Sequence, residues 1–203
     1  MALRTLTRLF DNHQDAVATV QALEAAGFPR DEISLVAHSE HGRHYTNAET
    51  TGGEAGAGGG AAAGTIVGGG LGLLAGIGSL AVPGVGPVVA AGWLVATLTG
   101  AGVGAALGAG AGGLIGALTG AGVPENDAHV YAEGVRRGGT LVNLRVDEAR
   151  APEAERILNN RTYVDPAQRR IEYERTGWKG FDPAAPAYEP EAEVPAQRRT
   201  GTF

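Results

Sequence analysis

The chain has 203 residues, a formal net charge of −6 and no cysteine. An acidic chain lacks the clustered Lys and Arg that a phosphate backbone demands, so nucleic acid is excluded as a main partner, and without cysteine disulfides and thiolate metal sites are excluded outright. Glycine is concentrated rather than spread: 26 of the 34 glycines lie between Gly52 and Gly122.

The opening stretch, MALRTLTRLF, has neither the apolar run nor the small-residue cleavage site of a secretory leader, so none is expected. TLTRLF leans toward a strand, with Leu6 and Leu9 out of phase. DNHQDAVATVQALEAAGF reads as a helix. Asp11 or Asn12 can cap it, Ala16, Val17, Val20, Leu23 and Ala26 recur at helical spacing, and Gly27 followed by Pro29 ends it. EISLVAH is a second strand. Residues 1–51 are therefore the first half of an α+β domain, a βαβ unit closed by the polar loop SEHGRHYTNAETTGGE. His38, His41 and His44 step by three with Glu40 among them, a spacing that could hold a metal on a helix. Gly42 and the polar setting favour a solvated loop, so no metal site is assigned.

From Ala55 to Pro124 the chain contains no charged residue and no His, Asn or Gln. Within it glycine recurs every fourth residue, at Gly60, Gly64, Gly68, Gly72 and Gly76 and again at Gly100, Gly104, Gly108, Gly112 and Gly116. Residues four apart share one face of a helix. Glycine costs a helix about 1 kcal/mol per residue against alanine, and a side-chain-free stripe offsets this by letting two backbones approach closely. Between the ladders Pro83, Gly84, Gly86 and Pro87 form a turn. The expectation is a glycine-zipper helical hairpin over 52–123, with arms of roughly 55–81 and 88–122 packed through these glycines.

An arm of about 27 residues reaches about 40 Å, beyond a bilayer core of about 30 Å. The tip SLAVPGVGPVVAAG carries no charge to meet water, which suits a re-entrant hairpin or the dry centre of a homo-oligomer. Membrane association and self-association both stand. GGLGLLAG matches the dinucleotide fingerprint at Gly70, Gly72 and Ala75, but no strand leads into it and no acid lies about twenty residues on. No cofactor is expected.

Beyond the glycine zone an ordinary globular pattern resumes over 124–165, the second half of the domain. PENDAHVYAEGVRRG is a helix with Pro124 at its start, acids in its first turn and Arg136 and Arg137 in its last. GTLVNLRV is a strand, APEAERILNNR a helix and TYVD a short edge strand. Asp147, Glu148, Glu153 and Glu155 read as helix-start and surface charges, so no catalytic residue is assigned. The remainder, 166–203, is a Pro-rich charged tail whose Trp178, Phe181 and Tyr188 are candidates to dock on this protein or a neighbour. The two halves echo each other as strand, acidic turn and helix. The expected fold is α+β, a ferredoxin-like antiparallel sheet with helices on one face, plus the inserted glycine-rich hairpin. The helix at 124–138 is extra to that pattern.

LFDNHQDAVATVQALEAAGFPRDEISLVA resembles the opening of the general stress protein 17M-like (heat-induced stress protein YflT-like) bacterial proteins. VPGVGPVVAAG, the ladder after it and GVPENDAHVYAEGVRRGGTLVNLRV resemble the glycine-zipper-containing members of that group. The resemblance covers about residues 4–147. It implies a bacterial, stress-linked, non-enzymatic protein and brings no catalytic residues. The expected function is a stress-response protein of the cytoplasm, or of the cytoplasmic side of the inner membrane, that associates with membrane or with itself through the hairpin. The alternatives are a soluble homo-oligomeric assembly with the hairpins as its apolar core, and a small-ligand or metal-binding regulator.

Overall fold

The structure, a computed structural model, describes residues 3–38, 78–82, 85–98, 113–185 and 188. In chain order the elements are β1 (Leu3–Phe10), α1 (His13–Ala25), a 3-10 turn at Arg30–Glu32, β2 (Ile33–His38), β3 (Gly78–Val82), β4 (Gly86–Ala91), α2 (Trp93–Leu98), α3 (Gly113–Gly120), α4 (Glu125–Arg136), β5 (Thr140–Asp147), α5 (Ala151–Leu158) and α6 (Pro166–Arg175). The start of α1 is set by Asn12, whose Oδ1 accepts the Gln14 N–H at 2.8 Å.

Five strands form one antiparallel sheet in the order β1-β5-β2-β4-β3. β5 slots between β1 and β2, pairing Leu9 with Leu141 and Leu35 with Val142. Both faces of this centre are covered. Leu6, Phe10, Ile33, Leu35, Val142 and Leu144 point toward α1 and α5, where they meet Val20, Leu23, Ala154 and Leu158. Leu9, Val36, Leu141, Val88 and Ala90 point the other way and pack with Leu94 of α2, Leu114 and Leu118 of α3, and Ala128, Ala132 and Val135 of α4. Each fully buried Leu or Phe contributes about 1.5–3 kcal/mol, so the two layers hold the sheet from both sides.

The α+β class and the antiparallel sheet are as expected, and two features depart from the expected ferredoxin-like arrangement. Helices lie on both faces, because β2 and β5 are buried on both sides rather than on one. The β3–β4 hairpin also extends the sheet beyond β2, with Val36 opposite Ala90.

That hairpin corrects the expected helical arms on either side of the turn, whereas Trp93–Leu98 and Gly113–Gly120 of the second arm are helices. Residues 78–82 and 86–91 are strands, not the ends of helices. The four-residue glycine step stops at Gly76, and the stretch after it is rich in β-branched Val82, Val85, Val88 and Val89, which suit a pleated surface. Gly86 and Pro87 stand opposite Val82 and Ala81 at the start of β4. Pro83 and Gly84 lie outside the described residues. So do Gly60, Gly64, Gly68, Gly72, Gly76, Gly100, Gly104, Gly108 and Gly112, while Gly116 lies in α3. Val85, Leu94, Leu114, Ala117 and Leu118 share one core with β1, β5 and α4, so the described parts of 52–123 are integral to the domain rather than appended to it.

The expected edge strand at TYVD is a single bridge, Val164 to Leu9, in which the Val164 N–H donates to the Leu9 carbonyl at 2.8 Å. The expected tail begins as helix α6. Asp165 Oδ1 accepts the N–H of Ala167 at 2.8 Å and of Gln168 at 3.0 Å, and Pro166 occupies the first helical turn, where its missing N–H costs nothing.

Candidate functional site

The C-terminal end of α4, the chain just after β1 and one face of α6 enclose a groove of about 450 Å³. Asp11 lines it from the β1 side, Gly134, Arg137, Gly138 and Gly139 from α4 and its exit, and Arg169, Glu172, Tyr173 and Thr176 from α6. The α4 helix stops here because Gly138 takes φ +97, and the Gly139 N–H turns back to the Gly134 carbonyl at 2.8 Å.

Two guanidinium groups dominate the groove, and both are committed. Arg169 donates Nη1 to Asp11 Oδ1 at 2.9 Å and Nη2 to Asp11 Oδ2 at 2.6 Å, with Nε 2.9 Å from Glu172 Oε2. The Asp11 hydrogen bonds hold the Arg169 guanidinium above its ordinary range, against the opposing effect of burial. Arg137 donates Nε to Glu133 Oε1 at 2.6 Å, and its guanidinium lies over the Tyr173 ring at 4.3 Å and near the Tyr188 ring at 5.2 Å. Burial pushes the Tyr173 hydroxyl up, and the neighbouring Arg169 pulls it back in part.

Aromatic residues of the C-terminal segment gather around this stack. Trp178 meets Tyr173 edge-on, with ring centroids 5.5 Å apart. Phe181 is buried against the α4 core, and its N–H donates to His129 Nδ1 at 3.2 Å. The chemistry of the arrangement is that of docking: cations stacked on aromatic rings, neutralised by nearby carboxylates. Among the described residues no group of three or more His, Asp or Glu could hold a metal ion. His38 closes β2, while His41 and His44 lie outside the described residues. Sequence reasoning read Arg137 only as a helix-end charge and missed Asp11, Arg169 and Tyr173 as a group. The available signal was Asp165-Pro166, which marks a helix start and so would have placed Arg169, Glu172 and Tyr173 on one face.

No curated protein and no solved structure gives a significant match to the chain. Residues 5–74 match the family model of the heat-induced stress protein YflT domain, and over that stretch the chain is similar to the YflT-like general stress proteins.

Proposed function

We propose that the chain is a non-enzymatic bacterial stress-response protein whose α+β domain presents the glycine ladders for self-association. The stress role is supported by the match at residues 5–74. The self-association role is supported by the way the charge-free zone is anchored. Its described parts, β3, β4, α2 and α3, are fixed in the sheet and the core on both sides of the stretch Gly100 to Gly112, with Leu94 before it and Leu114 after it fully buried. A ladder held at both ends by a folded domain is suited to meet a second copy in a defined orientation. Its place is the cytoplasm or the cytoplasmic face of the inner membrane.

Self-association is the reading we favour over insertion because β3, β4, α2 and α3 are built into the sheet and its core; among the described residues no helix is long and apolar enough to cross a membrane. The test is light scattering on full-length protein purified without detergent, alongside Gly104→Leu and Gly108→Leu. A particle larger than a monomer in the parent, reduced by either leucine, supports the proposal. A monomeric parent that floats with lipid vesicles replaces it with membrane association.

A further inference from the structure

We propose that His129 is a pH-operated latch that fastens the C-terminal segment to the domain. The Phe181 N–H donates to His129 Nδ1 at 3.2 Å. A ring nitrogen accepts only when it carries no proton, so the closed form requires a neutral imidazole with its proton on Nε2. Nε2 faces the Glu125 carboxylate at 4.0 Å. The two neighbours therefore pull in opposite directions: Glu125 favours the imidazolium, and the Phe181 amide excludes it. The side chain is 30% exposed, which leaves a route for a proton from solvent.

The remaining charges around the ring come from each neighbouring element. On α4 Asp127 follows Glu125 by two residues, and from α6 the Arg170 guanidinium donates to the Asn126 carbonyl. Lys179 and Asp182 flank Phe181 in the segment itself, and α3 carries no titratable side chain. The Phe181 N–H donates to the ring and to none of these. Gly180 brings the backbone close to the ring: a Cβ there would stand 3.8 Å from Nδ1.

Protonation at Nδ1 sets two N–H donors against each other, and the segment from Trp178 to Asp182 must move. What it releases is substantial. Phe181 leaves the core beside Ala128 and Ala132, and Trp178 leaves the edge of Tyr173, baring the aromatic stack beneath. Acidification thus converts a covered apolar wall into an exposed one.

Lys179 is the only lysine of the chain and lies inside the latched segment. A lysine-specific endoproteinase therefore cuts at one place, and it must take Phe181 out of the core to do so. The experiment measures that cut in the full chain, divided at each pH by the rate on a free peptide spanning Thr176 to Asp182. For the parent we expect the ratio to rise about tenfold from about pH 7.5 to about pH 5.5. His129→Asn retains a side-chain acceptor that does not titrate, so its ratio stays level. A level ratio in the parent, or the same rise in His129→Asn, overturns the proposal. Should the variant fail to fold, the unsubstituted protein decides the matter by NMR. The Phe181 amide must lose its exchange protection in step with His129 protonation, and protection that survives protonation also overturns the latch.

Discussion

The Oε1 of Glu133, a side chain closed off from solvent, accepts a 2.6 Å hydrogen bond from the Nε of Arg137. Arg136 reaches the same carboxylate, with Nη2 at 2.7 Å and Nε at 2.9 Å from its two oxygens. The arginine side chains keep 15% and 25% of their surface in water, whereas Glu133 keeps about none. The cost of breaking the cluster is therefore lopsided. Removing both arginines strands a buried carboxylate and should cost about 3–5 kcal/mol. Glu133→Leu leaves two cations that can turn to solvent and should cost less than half as much. Urea midpoints of the two variants check the order, and a reversed order would show that the carboxylate finds water.

Two glycines pack against neighbours in ways that rank their alanine variants. At Gly92, φ is +87 and a Cβ would run into the Ile33 carbonyl oxygen, with the Ser34 Cα 2.8 Å away. Backbone on both sides cannot yield, so Gly92→Ala should cost about 3 kcal/mol or more and disturb the β4–α2 corner. At Gly134 a Cβ would meet the Cδ2 of Leu9, a side chain with rotamers to give but no free space around it. Gly134→Ala should cost about 1–3 kcal/mol. Thermal melts of the pair test the ranking.

Alkaline unfolding should carry a signature of Tyr131. Burial, helped by the Asp127 carboxylate and opposed by Arg8, pushes its hydroxyl up from 10.0 to about 12. A raised folded-state value means that the unfolded chain loses the proton first. The stabilising contribution is complete below pH 10 and falls away as pH rises toward 12, by about 2–3 kcal/mol in all. Tyr131→Phe removes this part of the loss. Denaturant midpoints from about pH 8 to about pH 12 should therefore fall less steeply in the variant than in the parent.

Val85, at the tip of the β3–β4 hairpin, is fully buried in the core beside α4. Val85→Lys should destabilise the fold by about 3 kcal/mol or more, read by urea unfolding in the absence of lipid and at concentrations below any assembly. For the same reason, replacing 52–122 with a short linker should leave an unfolded chain by circular dichroism, since it deletes β3, β4, α2 and α3 together. A folded deletion variant would show that β1, β2 and β5 with α1 and α5 suffice.

Local chemistry made several elements legible in the sequence. Asn12 and Gly27 bracket α1, Pro124 and Arg136 bracket α4, and the residues of β5 alternate along its length, although Asn143 is buried as deeply as Leu144. The β3–β4 hairpin was hidden because a four-residue glycine period invites a helical reading of everything near it, whereas the free side of β2 and a cluster of valines favour strands. α6 was hidden by proline, read as a tail signal when Asp165 makes it a helix start. The groove was not legible at all, because Asp11 and Arg169 are 158 residues apart and only the fold brings them together.

At one margin of the sheet stands β1, and beyond it the only described partner is the single bridge to Val164. A strand margin with free amides is a template for other chains. Here two tethered cations guard it. Arg8 Nε donates to Asn159 Oδ1 at 2.9 Å, and Arg4 Nη2 lies 3.4 Å from Glu155. A foreign strand adding to β1 would have to pull both arginines off their moorings or bury them. The margin thus discourages recruitment of the chain into other proteins' aggregates.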